Sequence, residues 1–421
     1  MNIGILTIGD ELTSGRIRDL NSPLIIREAA RMGWVVSSIL SVGDEISAIQ
    51  RAINYFPDHC RATIVTGGLG ATSDDMTTEA MARTWGRQLI RNEQVLSVLR
   101  DHVSARGFRW TEKHARQAQF PEGAEPIPNP VGSAWGFSLT HRDCLFIVLP
   151  GVPEEAAVMI TDQVLPRLHR IDPSPNNVIL SRTFKCFGIS ENEIEEKIRA
   201  LIPHDEMTRI GFYPLFPEVH LVLTIRNANQ KQANANLRNF ETAITDVLQP
   251  HLFGRDHETL EGVVGNMLRQ KRLGLAVAES CTGGLITDRL TDVAGSSEYL
   301  ERGVVSYSNA SKISLLKVPR HILVDHGAVS ESAARYMAEG IRTASGVQLG
   351  LSTTGIAGPA GAVPGKPVGT VYIALAHPGG TVCQHFVFPR DRRKVKVAAT
   401  HTALMMLREY LNTSPPGIGN P

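Results

Sequence analysis

Apolar positions along this chain follow two alternating rhythms. In the first part, a short apolar run at 3–8 predicts a buried strand that ends in a loop at Gly9-Asp10-Glu11, 35–42 and 62–66 read as further strands, and Ile46, Ile49, Ile53 and Phe56 recur at helical spacing. Ser22-Pro23 predicts a helix start, with a capping hydroxyl ahead of a proline at the first helical position. A further strand at 145–149 leads into Pro150-Gly151-Val152-Pro153 and a helix to about 168. From 178 the rhythm changes. A strand at 182–187, a capping box at Ser190-x-x-Glu193, strict alternation of Val219, Leu221, Leu223 and Ile225, and a helix over 230–247 describe a small α+β module. After Gly254-Arg255-Asp256, an amphipathic helix through Leu260, Val263, Val264, Met267 and Leu268 opens a third part. Its strands are expected at 273–278, 349–353, 368–375 and 382–388.

These elements predict an α/β chain: two three-layer α/β domains, 1–170 and 256–413, joined by an α+β spacer or dimerisation module over 178–253. The polar break at 173–177 marks the first boundary, and 414–421 reads as a flexible tail. At 421 residues the chain is long enough for two or three cores. Lys+Arg 43 against Asp+Glu 42 gives a formal charge of +1, without the basic excess that direct nucleic-acid binding needs. The 5 cysteines lack paired spacing, which argues against a disulfide framework or zinc site. No run reaches the ~20 apolar residues of a membrane span, and no signal-peptide pattern opens the chain. The expectation is a cytoplasmic protein.

The chemistry concentrates in polar loops at expected strand ends. Around Glu279-Ser280-Cys281-Thr282-Gly283-Gly284 a strand turns towards a helix at small polar residues. Free helix-start amides there suit an oxyanion or a phosphate. Three adjacent side chains, Ser280, Cys281 and Thr282, are candidate nucleophiles, and Ser280 as a plain helix cap is the competing reading. A helix start would also lower the Cys281 thiol pKa. Lys312 follows the hydroxyl-rich turn Tyr307-Ser308-Asn309 and can act as a base only if burial or cationic neighbours lower its pKa. In the first part, Gly67-Gly68-Leu69-Gly70 leads through Thr72, Asp74 and Asp75 to a helix near Thr77. It is neither a P-loop nor a dinucleotide fingerprint. Its amides and hydroxyls suit a phosphate, and its aspartates suit a bridging metal or, more simply, a helix cap.

In its order of motifs the chain resembles the competence/damage-inducible protein A (CinA) family along nearly its whole length. The carboxyl-terminal resemblance rests on Ala278–Gly284, Val293-Ala294-Gly295-Ser296-Ser297, Tyr307-Ser308-Asn309 with Lys312, and His326-Gly327-Ala328-Val329-Ser330. It continues through Thr354-Gly355-Ile356-Ala357-Gly358-Pro359, Lys366-Pro367-Val368-Gly369-Thr370-Val371, and Phe388-Pro389 with Asp391-Arg392. The resemblance implies a nicotinamide mononucleotide deamidase that yields nicotinic acid mononucleotide and ammonia without a cofactor. It further implies Ser280 as nucleophile, Lys312 as base and Tyr307 as its assistant. Thr282, Gly283, Ser297, Thr354 and Gly355 would surround the substrate, and Arg392 would hold its phosphate. Arg390 departs from the usual glycine and puts that loop's geometry in question.

The amino-terminal resemblance, to a molybdopterin-binding-like domain, rests on Gly9-Asp10-Glu11-Leu12, Gly15, Asn21, the 67–77 loop, Asn129-Pro130-Val131-Gly132 and Leu149-Pro150-Gly151-Val152-Pro153. Ala71 stands where a proline is usual. The resemblance implies ADP-ribose pyrophosphatase activity with a divalent metal (magnesium, manganese or cobalt) and potassium. Asp10, Gly67, Gly68, Gly70 and Thr72 would meet the nucleotide phosphates, and Asp75, Asp44 and Glu155 the metal. Expected partners are small nucleotides and a second copy of the chain, in pyridine-nucleotide salvage. The alternative is a nucleotide- or pterin-binding scaffold, associated with competence or DNA damage, whose amino-terminal domain does not turn over.

Overall fold

A computed structural model describes residues 1–105, 107, 109–173, 178–203, 205 and 207–413. The expected boundary at 174–177 and the tail at 414–421 lie outside the described residues. The chain divides into two compact units, Met1–Leu180 with Ile225–Leu237, and Ser181–Thr224 with Arg238–Pro421.

The first sheet contains β1 (Asn2–Ile8), β2 (Val35–Val42) and β3 (Ala62–Thr66). After the small ribbon of β4 (Leu89–Arg91) and β5 (Gln119–Pro121) come β6 (Glu125–Ile127), β7 (Gly136–His141) and β8 (Cys144–Leu149). The sheet order is β2-β1-β3-β8-β7-β6. The strands from β2 to β8 pair in parallel, and β7 and β6 fold back antiparallel. β1 is buried on both faces. Ile3 and Ile5 pack with Ile25, Ile160 and Leu168 on one side, and Leu6 and Ile8 with Ile49, Ile53 and Met81 on the other. That two-sided burial explains the unbroken apolar runs, because helices cover both faces of a parallel sheet. β6 and β7 escaped the sequence reading because their short strands share that apolarity only in part.

Two local expectations change. The helix Asn21–Arg31 is entered from Leu20, and Asp19 Oδ1 accepts the N–H groups of Asn21 and Ser22 at 2.9 and 3.0 Å. Ser22 is buried without a partner for its hydroxyl, so Asp19 is the capping residue. Gly9-Asp10-Glu11 opens a single helical turn, Asp10–Thr13, where a plain loop was expected.

The middle sheet consists of β9 (Val178–Phe187), β10 (Thr208–Leu215), β11 (Glu218–Asn227) and β12 (Leu252–Arg255), in the order β10-β11-β9-β12. The predicted capping box forms, with the Ser190 and Glu193 side chains satisfying each other's amides.

The last sheet is built from β13 (Leu275–Glu279), β14 (Leu300–Val305), β15 (Leu349–Gly355), β16 (Thr370–His377) and β17 (Gly380–Val387). Its order is β14-β13-β15-β16-β17, parallel across the first three strands and antiparallel beyond. Successive β13 side chains serve opposite layers. Leu275 and Val277 pack with Leu260, Leu404 and Leu407, while Ala276 and Ala278 pack with Leu316, Met337 and Ile341. The carboxyl ends of β13 and β15, paired in parallel, therefore meet at one edge of the three-layer body, where open α/β sheets bind ligands.

Candidate active site

Ser280 is the first residue after β13, and its N–H donates to the Thr353 carbonyl of β15 at 3.0 Å. The next helix, Leu285–Thr291, starts only after a turn made by Gly283 and Gly284 at φ of 64° and 96°. Glycine adopts this left-handed conformation without the penalty of a Cβ. The expected free helix-start amides are not free. Glu279, fully buried, accepts the N–H groups of Gly284 at 2.9 Å and Ile286 at 3.1 Å on Oε2. Its Oε1 accepts the Thr287 N–H at 2.9 Å and the Thr287 hydroxyl at 2.8 Å. Ser280 is thus neither the helix cap nor at the helix start; a carboxylate one residue before it caps that helix.

Lys312 lies in the helix Asn309–Leu316, which Ser308 and Ser311 open with a capping box. Only 1% of Lys312 is exposed, and Nζ stands 2.9 Å from Ser280 Oγ and 2.7 Å from the Ser306 carbonyl oxygen. Burial, which penalises the ammonium form, lowers its pKa to about 8. A lysine in that condition has an amine available for proton transfer near neutral pH. Ser306 was missed by the sequence reading, since only its main-chain oxygen acts. Tyr307 sits elsewhere than expected: it is largely exposed, and its hydroxyl accepts from Arg392 Nη2 at 3.0 Å. No bond joins it to Lys312 among the described residues, so its position suits the cavity rim better than assistance to the base. Arg392 also donates through Nη1 to the Gly358 carbonyl at 2.7 Å.

A cavity of about 260 Å³ opens beside Ser280 and Lys312, walled by Ala328, Thr354, Gly355 and Arg392. The Thr354 hydroxyl donates to the Ala328 carbonyl at 2.8 Å, which fixes that wall. Cys281 also lines the cavity, but burial in the core pushes its thiol up to about 12, opposite to the activation expected at a helix start. A protonated thiol is a poor nucleophile. Thr282 and Gly283 do not reach the cavity. The Thr282 hydroxyl bonds Thr353 Oγ1 at 2.7 Å, and Gly283 faces Lys396. Ser297 is likewise displaced from its expected role. β13 and β14 run parallel with Leu275 opposite Leu300, and Ser297 precedes β14, so it occupies the opposite edge of the sheet from Ser280. Arg390 takes no left-handed backbone, so replacing glycine there costs no strain.

In the amino-terminal unit, Gly67, Gly68 and Gly70 line a cavity of about 690 Å³ with Asp44, Asp75 and Glu155. Asp10 and Thr72 lie outside its lining. The Asp10 carboxylate accepts the Asp44 N–H at 3.0 Å, and the Asp10 N–H donates to Asp44 Oδ2 at 2.8 Å. Thr72 donates its N–H and hydroxyl to Asp75 Oδ2, at 2.8 and 2.6 Å. Asp75 therefore closes the glycine loop and does not cap the following helix. Thr77 turns its hydroxyl back to the Gly67 carbonyl at 2.8 Å. Glu155 accepts from Asn129 Nδ2 at 2.6 Å. Burial, and then the neighbouring carboxylates of Asp10, Glu11 and Asp74, raise the Asp44 pKa. The expected metal ligands thus share a cavity without converging: each has turned to a local donor. Among the described residues no group of three or more His, Cys, Asp or Glu is placed to hold a metal ion. As placed, the carboxylates do not fit a bound divalent ion. Asp74, read with Asp75 as suited to a bridging metal, also lines the cavity, as do Glu11 and His114, which local spacing did not single out.

Three families match consecutive stretches: a probable molybdopterin binding domain over residues 4–170, the damage-inducible protein CinA KH domain over 181–254, and the CinA C-terminal domain over 257–411. A CinA-like protein of Syntrophus aciditrophicus is 51% identical over 412 residues, covering 98% of each chain. The chain belongs to the CinA family. A second CinA-like protein, from Syntrophotalea carbinolica, is 41% identical over 413 residues, again covering 98% of each. Among solved structures, a competence-damaged protein (CinA) superfamily protein from Klebsiella pneumoniae is 34% identical, covering 37% of this chain and 97% of that one, at a TM-score of 0.36. In this CinA family member the sequence expectation of an α/β fold with molybdopterin-binding-like and CinA C-terminal domains holds. No helix among the described residues is long and apolar enough to cross a membrane.

Proposed function

We propose that the carboxyl-terminal domain hydrolyses the carboxamide of nicotinamide mononucleotide to nicotinic acid mononucleotide and ammonia. The observation that carries this reading is the buried contact of 2.9 Å between Ser280 Oγ and Lys312 Nζ at the wall of a small cavity. A serine and a desolvated lysine form a nucleophile–base pair, and acyl transfer is its natural chemistry. Ser280 Oγ would attack the carboxamide carbon while Lys312 takes its proton. The carbonyl pair moves onto oxygen, then returns as the C–N bond breaks and ammonia leaves with the proton from Lys312. Water, deprotonated by the same amine, would release the acid from Ser280. Arg392, exposed at the rim, supports a phosphate-bearing substrate, because a guanidinium can bind phosphate through two donors. No cofactor is needed for these steps.

The test is ammonia release from nicotinamide mononucleotide against release from free nicotinamide. Equal kcat/KM for the two would remove the phosphate from the reading. Arg392→Ala should raise KM for the nucleotide ~10- to 100-fold, the value of a lost charge-assisted hydrogen bond, and leave turnover of free nicotinamide unchanged.

For the amino-terminal cavity we propose nucleotide binding, with cleavage of ADP-ribose to AMP and ribose 5-phosphate. The glycine loop lining a cavity of about 690 Å³ supports a phosphate-bearing ligand of that size. Release of AMP from ADP-ribose, assayed with and without added magnesium, manganese or cobalt and with potassium, tests the cleavage. Binding of ADP-ribose without AMP would instead favour the scaffold reading. A homodimer, a cytoplasmic location and the absence of direct DNA binding belong to the same proposal. Light scattering and a DNA mobility shift test the first and last of these.

A further inference from the structure

We propose that Glu279 is a positioning residue for the acyl transfer at Ser280, taking the amides of the following helix so that the turn between them keeps its own for the oxyanion. The proposal rests on the reading of Ser280 as nucleophile.

Glu279 is the last residue of β13 and is fully buried, yet both carboxylate oxygens are filled by donors from Gly284, Ile286 and Thr287. An ionised carboxylate can accept all four of those bonds, because it has two oxygens and no hydrogen of its own. The bonds draw the start of the helix back onto β13, and the two left-handed glycines permit that reversal. The Ser280 N–H is spent on the Thr353 carbonyl. The amides of Cys281, Thr282 and Gly283 meet no protein oxygen among the described residues, and those of Cys281 and Thr282 turn to the Cys281 sulfur, a weak acceptor. Cys281 follows the nucleophile and lines the cavity, the position from which an amide reaches the oxyanion at a strand-to-helix nucleophile turn.

The main chain of Glu279 serves the base as well. Its carbonyl accepts the Ser306 N–H at 2.8 Å, and the Ser306 carbonyl in turn accepts from Lys312 Nζ at 2.7 Å. One residue thus ties down the nucleophile's turn by its side chain and the base's anchor by its backbone. Glutamine at 279 would fit the same space but put an NH₂ group against main-chain N–H donors. Aspartate would keep the charge on a shorter stem.

The experiment compares the full-length protein with Glu279→Gln and Glu279→Asp, using ammonia release from nicotinamide mononucleotide and from its thiocarboxamide analogue. In parallel, an alkyl fluorophosphonate is followed by intact mass as Ser280 Oγ bonds to phosphorus and fluoride leaves. Loss of oxyanion geometry should lower kcat ~100-fold in Glu279→Gln with KM nearly unchanged, and slow phosphonylation by a similar factor. The oxo-to-thio rate ratio should contract, because sulfur depends less on those amides, and Glu279→Asp should recover part of kcat. Wild-type kcat and phosphonylation rate in Glu279→Gln would overturn the proposal. So would equal losses on both substrates with a constant oxo-to-thio ratio, the mark of general loosening. If Glu279→Gln does not fold, Glu279→Asp is judged by the same ratio and labelling rate. A wild-type protein that takes the fluorophosphonate but releases no ammonia refutes the deamidase reading, and labelling still decides the role of Glu279. Failure of the wild type in both assays overturns the serine nucleophile and this proposal together.

Discussion

Ser280→Ala should reduce ammonia release from nicotinamide mononucleotide by ~10⁴-fold or more, the scale of losing a serine nucleophile from a preorganised acyl-transfer site. KM should change little, because Ser280 contributes its oxygen to the reacting centre and little to binding. Cys281→Ala is the control. With its thiol pushed up to about 12 by burial, Cys281 is protonated throughout the working range and packs as a core residue. Its replacement should leave kcat within about threefold and lower stability by ~1 kcal/mol, as expected for a small buried truncation. Steady-state ammonia assays with thermal melts of both variants check this. Loss of activity in Cys281→Ala alone would overturn the assignment of Ser280.

Lys312→Met should cost ~10²- to 10⁴-fold in kcat, the range of general acid–base catalysis, while filling the same buried space without a charge. The wild-type pH profile carries a more specific expectation. The working base is the neutral amine, and burial brings the Lys312 pKa down to about 8. The neutral fraction rises with pH, so kcat/KM should climb about tenfold per pH unit on the acid side and level off above about 8. Stability follows the same sign. An unfolded lysine keeps its proton up to about pH 10.4, so above 8 the unfolded chain binds more protons than the folded one. This group's contribution to stability therefore increases with pH across that window and is lost as pH falls through 8. A profile flat from pH 6 to 9, measured below saturation, would remove Lys312 as the base.

Much of the layer architecture was readable from local pattern. The runs at β1, β3 and β13 are continuous because helices cover both faces, and the alternation in β11 marks a half-buried strand. β14 was not visible: its sequence, Leu300-Glu301-Arg302-Gly303-Val304-Val305, mixes charge with apolar residues because it is an edge strand, mostly exposed. Ser297 was misplaced for a related reason. A motif records order along the chain, whereas the parallel pairing of β13 with β14 sends the residues before β14 to the far edge of the sheet. The expected metal ligands failed on a different ground. Asp75 and Glu155 found donors in Thr72 and Asn129, and spacing cannot foresee that such contacts outcompete convergence on an ion.

By itself the sequence determined that a strand would end near Ala278, that small polar residues and two glycines would follow, and that a lysine would come just after the hydroxyl-rich turn at Tyr307. Those features are local, set by apolar periodicity, capping hydroxyls and the freedom of glycine at positive φ. Only the tertiary structure decided that Lys312 reaches Ser280, because Lys312 is 32 residues further along the chain and the contact depends on how its helix packs against the sheet. The same packing removes water from Lys312 and brings its pKa towards the working range. It also raises the Cys281 pKa, since burial penalises the ammonium of one and the thiolate of the other. Burial is a property of the assembled layers, and it separated a serine–lysine pair from three adjacent candidates that the sequence left open.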